Sequence, residues 1–163
     1  MRLETMSIAA TDLILHAIRP TLEYLDMYSP AAEQLLLGTA AQESGLDPFC
    51  HSSRGIGIYQ ITPLQHRSIW DGYLAFIPDL ASKVRGLASQ RLFLQKPDQE
   101  LAVNLSYSTA IAWIIYLQSE LQLPAADDAE GLSLYWGLNF CGPPRDSGAQ
   151  QNFALWIRQF RAA

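Results

Sequence analysis

The chain has 163 residues, 49% of them hydrophobic and 17% charged, with a formal net charge of −5 at pH 7. That is enough chain and enough apolar surface for one domain, residues 1–163, with a real core, and it excludes a disordered segment. The 11 basic residues are scattered singly, which argues against a nucleic-acid binder, and the longest apolar run, Ala110 to Leu117, is too short for membrane insertion.

The first twenty residues, MRLETMSIAATDLILHAIRP, place Glu4 and Asp12 inside what would have to be the apolar core of a signal peptide. Neither a signal peptide nor a lipoprotein leader is therefore expected, and the protein is expected to be made and kept soluble. Residues 7–19 read as an amphipathic helix with Ile8, Leu15 and Ile18 among its apolar positions, stopped by Pro20. His16 within it is a packing or surface residue, and Leu22 to Met27 forms a short helical piece.

Ser29 and Pro30 read as an N-cap and first helical position, and Gly45 as a left-handed C-cap, which gives a helix of about four turns. Leu36, Ala40 and Glu43 are spaced four and three apart, so the acid shares a face with core-seeking side chains. Two conditions there disfavour the ionised form: a half-apolar setting and the negative end of the helix dipole. An acid that keeps its proton suits general-acid chemistry, whereas an ordinary helix-terminal Glu would reach out to water.

The two cysteines, Cys50 and Cys141, make no disulfide framework, and their pairing stays open. No Cys or His spacing suggests a metal, and no cofactor is expected. Cys50-His51 is a poor nucleophile and base pair, because adjacent residues rarely face one another and no third orienting group is evident.

The segment Gly55-Ile56-Gly57-Ile58-Tyr59-Gln60-Ile61-Thr62-Pro63 carries the next signal. Its glycines allow a close backbone approach or positive φ, and Gln60 offers both a donor and an acceptor to sugar amide or peptide groups. A plain structural turn or hairpin is the alternative.

Taken together, Glu43-Ser44-Gly45, then Ser52 or Ser53, then Gly55 to Pro63, resemble the active-site signature of the lytic transglycosylase (SLT-type) branch of the lysozyme-like superfamily. In that family an acid in an E-S-G tripeptide precedes a G-x-x-G-L-M-Q-[IV]-x-P-type segment. The resemblance covers about thirty residues, and the order and spacing of its constrained positions make it fairly specific. This sequence has only one residue between its glycines, and Tyr59 stands where methionine is usual.

Further along, Thr62-Pro63 opens a helix through His66 and Trp70, closed by Trp70-Asp71-Gly72-Tyr73; the aromatic faces of Trp70 and Tyr73 suit a sugar groove, but core packing is the commoner role and they are left out of the site. Pro78 to Leu87 is a short helix, and Arg91 to Lys96 a linker. From Asp98 to about Leu121 the positions Leu101, Leu105, Ala112, Ile115 and Tyr116 predict one long, nearly buried helix. Its Asn104-Leu105, with Ser108 and Ala112, is similar to the N-[LI]-x-x-G-x-x-Y-L helix of the same family. Asp127 or Asp128 caps a helix through Trp136. Tyr135 to Pro144, YWGLNFCGPP, falls where the family places an A-Y-N-A-G-type motif: Asn139 aligns with its Asn, Leu138 replaces its Tyr, and Tyr135 offers the hydroxyl one turn earlier. Ser147-Gly148-Ala149-Gln150 reads as a capping box, followed by Phe153, Trp156, Ile157 and Phe160 as core.

The fold expected is mainly α, a lysozyme-like domain of six to eight helices with a short irregular or β-like turn segment after the catalytic helix. The resemblance implies Glu43 as the catalytic residue, with Ser44, Tyr59, Gln60, Tyr135 and Asn139 as substrate-binding residues. It implies cleavage of the β-1,4 bond between N-acetylmuramic acid and N-acetylglucosamine in peptidoglycan glycan strands, with a 1,6-anhydro product. A lysozyme-type hydrolase would need a second acid, for which Asp47 and Asp71 are the nearby candidates. A non-catalytic wall-binding or virion structural protein on the same scaffold is the reading from another class. A protein without an export signal would reach the wall either as a bacteriophage virion component among other virion proteins, or from the host cytoplasm as an endolysin.

Overall fold

The computed structural model describes residues 7–140 and 147–162, with backbone only at positions 51 and 147. The fold is mainly α with a short β-like segment. Its centre is α3 (Pro30–Ser44), which is buried from Ala32 onward at nearly every position. Ser29 caps its start by accepting from Ala32 N, and Gly45 ends it at φ 65°, both as the sequence predicts. An apolar helix buried all round must be covered on all sides. Here α1 (Ala10–Leu13) to α2 (Arg19–Tyr24), α8 (Leu105–Leu117), α9 (Ala129–Asn139) and α10 (Ser147–Ala162) provide the cover.

The first helix does not stop at Pro20. The chain stays helical from Ala10 to Tyr24, and a π-helical turn over Ile14–Ile18 joins α1 to α2, with Arg19 N donating to Ile14 O. Proline has no N–H to give to the preceding turn, and a widened turn shifts the ladder just ahead of it, so the helix absorbs the residue that should end it.

After α3 comes a hairpin of β1 (His51–Ser52) and β2 (Gly55–Ile56), antiparallel with Ser52 opposite Gly55, extended by a bridge between Ile56 and Ile61. Then α4 (Pro63–Gly72) begins with a complete capping box: the Thr62 side chain accepts from Gln65 N, and the Gln65 side chain accepts from Thr62 N. The helix predicted at Pro78–Leu87 is α5.

Two expectations on the next stretch are corrected. Residues 91–96 are not a linker but lie mostly in α6 (Gln90–Gln95), and the long helix from Asp98 is broken. It divides at Asn104 into α7 (Glu100–Val103) and α8, with a bend of 106° between Pro97–Val103 and Leu105–Leu117. Asn104 is extended, and its Oδ1 accepts from Tyr107 N as the cap of α8. Its Nδ2 donates to Leu87 O at 2.9 Å and to Glu100 Oε2 at 2.8 Å, while the fully buried Glu100 also accepts from Ser89 N and Ser89 Oγ. Asn side chains compete with helical backbone in this way, and a buried carboxylate with three donors makes the corner worth more than a straight helix.

Asp128 caps α9 by accepting from Gly131 N, and α9 runs three residues past Trp136. In α10, Phe153 and Ile157 are core as expected, but Trp156 and Phe160 are only half-buried. Cys141 and the capping-box side chain of Ser147 lie outside the described residues, while Cys50 is a free, half-buried thiol. Among the described residues no single helix is long and apolar enough to cross a membrane.

Gly57 sits at φ 77°, and a Cβ there would lie 2.0 Å from the backbone oxygen of Leu101. The glycine lets the hairpin's far turn touch α7. Gly57→Ala is therefore expected to cost at least ~2 kcal/mol in denaturant unfolding, against less than ~1 kcal/mol for Gly72→Ala, whose added Cβ meets nothing.

Candidate active site

Glu43 stands in the last turn of α3 with only 3% of its surface exposed. The indole Nε1 of Trp136 donates to its Oε1 at 3.2 Å. Trp136 is itself fully buried and stacks on Phe153 of α10 at 5.3 Å, 21° from parallel. Beside the acid lies a groove of about 650 Å³, within the usual range for small-molecule sites, about 300–1,000 Å³. Its walls are the end of α3, Cys50 and Arg54 from the hairpin, and Asn152, Trp156 and Gln159 from α10. Glu43 is the only carboxylate among the described residues lining it.

The other sequence-predicted site residues are placed differently. Ser44 lines the groove, but its hydroxyl is committed: it lies 2.7 Å from Ile58 O and 3.0 Å from Ala40 O as donor, and accepts from Asp47 N. It pins the end of α3 to the segment after the hairpin instead of reaching for a ligand. Gln60, expected to hold sugar or peptide, is 4% exposed and turned inward at φ 52°. Its Nε2 donates to Cys50 O and Gly57 O at 3.0 and 2.8 Å, and its Oε1 accepts from Ser52 Oγ at 2.5 Å. The amide thus serves as the rivet of the hairpin, using both its donor and its acceptor on the chain itself.

Tyr59 is not at the site either. Its ring is fully buried, its hydroxyl lies 2.8 Å from Thr109 Oγ1 of α8, and burial pushes the phenol far above its ordinary pKa. Tyr135 is buried against Tyr116, stacked at 5.6 Å, with its hydroxyl 3.5 Å from Tyr116 O. Asn139 donates from Nδ2 to Tyr135 O one turn back. Neither lines the groove beside Glu43. The α9 residue that reaches the acid is Trp136, next to Tyr135 in sequence but rotated about 100° around the helix.

Asp47 uses Oδ1 to accept from Phe49 N in a local turn, and Asp71 lies exposed on α4; neither lines the groove. Sequence reasoning placed Trp156 in the core, whereas it is half-buried, stacks on Phe160 at 5.8 Å and lines the groove. Asn152, Trp156 and Gln159 are spaced four and three apart, the same helical rule that put Phe153, Ile157 and Phe160 on one face. The second face of α10 was legible by that rule, and the apolar residues masked it. Among the described residues no three His, Cys, Asp or Glu side chains converge as a metal site. The chain matches no protein-family model, no curated protein and no solved structure at a significant level.

Two outcomes follow from these contacts. Trp136→Phe keeps an aromatic ring against Phe153 but removes the donor to a buried carboxylate oxygen, and should lower unfolding stability by ~1–3 kcal/mol. Gln60→Ala removes the side-chain amide from Cys50 O, Gly57 O and Ser52 Oγ, and although Gly57 O keeps the backbone N–H of residue 60, a loss of similar size, ~1–3 kcal/mol, is expected even with no ligand present. A purely ligand-binding glutamine would leave stability unchanged.

Proposed function

We propose that the chain is a peptidoglycan-cleaving lytic transglycosylase on a lysozyme-like helical scaffold, with Glu43 as its single acid and base. The observation that carries this reading is a nearly fully buried carboxylate beside a groove whose described lining holds no second one. The resemblance of Glu43-Ser44-Gly45 and Gly55 to Pro63 to the SLT-type signature supplies the substrate and the reaction.

In the proposed reaction the Glu43 carboxyl group protonates the glycosidic oxygen, the bond from muramoyl C1 to that oxygen breaks, and the N-acetylglucosamine unit leaves with a free 4-hydroxyl. The muramoyl residue passes through an oxocarbenium-like state. Its own C6 hydroxyl then bonds to C1 and returns a proton to the Glu43 carboxylate. No water is consumed, so one carboxylate serves both halves, whereas a two-carboxylate hydrolase needs a second acid roughly 5–9.5 Å away. Trp136 keeps the carboxyl group oriented, and the half-buried face of Trp156 offers an apolar surface to a sugar ring. Access to the wall is proposed to come from a virion or through release as an endolysin.

A second reading is favoured by a specific observation. Ser44, Tyr59, Gln60, Tyr135 and Asn139 all spend their polar groups on the chain itself, which suits a wall-binding protein that has kept the scaffold without the chemistry. The two part company on purified glycan strands analysed by mass spectrometry. The transglycosylase releases fragments ending in 1,6-anhydro-muramic acid, and Glu43→Gln, nearly isosteric but without a titrating proton, keeps the fold and loses at least ~100-fold in rate. Reducing muramic acid ends would make the protein a hydrolase, and retention on wall material without release would make it a binder.

A further inference from the structure

The groove beside Glu43 holds one described cation, Arg54; Arg67 and Arg91 are also exposed and without an ion pair among the described residues, but they stand on α4 and α6, outside the groove lining. Arg54 sits in the two-residue turn between β1 and β2, exposed, with its side chain on the groove. Elsewhere Arg19 pairs with Glu33, Arg158 pairs with Glu130, Arg85 lies over the ring of Phe93, and Arg161 donates to Asp127 O. No described carboxylate lies within ion-pair distance of the Arg54 guanidinium. Glu43, the one acid among the described residues lining the same groove, is buried and accepts from Trp136 Nε1.

The base on which Arg54 stands is fixed. Its backbone N donates to Ser52 Oγ at 3.1 Å, that hydroxyl donates to Gln60 Oε1, and Gln60 Nε2 ties back to Cys50 O and Gly57 O. The facing wall, Asn152, Trp156 and Gln159, carries no charge. In a protein of net charge −5, an anionic group entering this groove meets, among the described residues of its lining, a single positive charge at Arg54. A guanidinium is a planar fork that matches a carboxylate through two parallel hydrogen bonds.

We propose that Arg54 is a specificity-determining residue that seats a carboxylate of the muramoyl unit or its stem peptide in the groove beside Glu43. This rests on the reading of the groove as a peptidoglycan site. Two sources share the chemistry: the α- and side-chain carboxylates of the stem peptide, and the lactyl carboxylate, which is free only where the peptide has been removed.

The test is binding, by calorimetric titration, of a GlcNAc–MurNAc disaccharide. This fragment lacks the MurNAc–GlcNAc bond cut in the proposed reaction, so binding is read without turnover. Three forms are compared: one carrying its peptide, one with the peptide carboxylates converted to amides, and one stripped of peptide. Arg54→Gln is expected to weaken binding of the carboxylate-bearing form by about tenfold or more, with Arg54→Lys intermediate because it keeps the charge but loses the fork. Wild type should bind the amidated form no better than Arg54→Gln does. A loss confined to the peptide-bearing form assigns the stem carboxylates, and one confined to the stripped form assigns the lactyl group.

Because the Arg54 side chain carries none of the hairpin's hydrogen bonds, both variants should unfold like wild type. Equal affinities of wild type and Arg54→Gln for every form would overturn the assignment, as would failure of either protein to bind any form. Cleavage of intact strands, assayed separately, reports on the catalytic reading: normal Arg54-dependent binding without cleavage would keep this inference and sink the transglycosylase.

Discussion

The Trp136–Glu43 hydrogen bond is the contact through which the rest of this structure can be traced. A carboxylate drawn out of water has to be met by donors, and the donor here comes from a helix more than ninety positions away in the chain. That indole is held by stacking on Phe153 of α10. Phe153 in turn lies against Gly38, where even a methyl group would come within 2.6 Å of its ring. Gly38 is on α3, little more than a turn before Glu43. The circuit closes on the helix where it began, so the position of the acid depends on three helices packed without slack. Thr39 adds a polar tie on the same helix, its hydroxyl 2.6 Å from that of Tyr116 on α8.

The segment after α3 is built on a different logic. Its polar residues are spent inward, with Ser44 on Ile58 O, Gln60 on three hairpin groups and Tyr59 on Thr109. A two-stranded hairpin of four paired residues has too few ladder bonds to stand alone. Side-chain amides and hydroxyls that take over the missing bonds make it rigid, and the left-handed conformation of Gln60 is held by those same contacts. The motif thus gives a fixed edge to the groove, and the residues that face into the groove from it are Cys50 and Arg54.

How much of this could be read from the chain depended on whether the deciding interaction was local. Ser29-Pro30 and Gly45, and Thr62-Pro63, announced helix ends through contacts within four residues, and the structure has them where the sequence placed them, as it has the helix from Pro78. Glu43 was placed on a buried face by spacing alone. The break at Asn104 carried one local sign, an Asn able to cap toward Tyr107 N, but the contacts that fix the corner, Asn104 to Leu87 O and Ser89 to the buried Glu100, lie eleven or more residues apart and leave no pattern in the sequence. Pro20 misled for the opposite reason: a local breaker was overridden by a π-turn and by burial of Ile18 and Leu22 on either side. In the site, Tyr135 and Trp136 are neighbours in sequence, and only the tertiary rotation of α9 decides which of them meets the acid.

If the motif is scaffold, discrimination among ligands has to come from what faces it, and α10 is suited to that. One face of this helix, Phe153 and Ile157, is locked against Gly38 and cannot change without moving Glu43. The other, Asn152, Trp156 and Gln159, lines the groove without carrying core contacts of comparable density, since Asn152 and Gln159 are exposed. A two-faced helix separates the constraint on the acid from the constraint on the ligand. Substitutions on the groove face can alter which ligand the groove admits while leaving the Glu43–Trp136–Phe153–Gly38 circuit intact. Substitutions on the core face act on any chemistry only through that circuit, so their effects on stability and on the position of the carboxylate should rise and fall together.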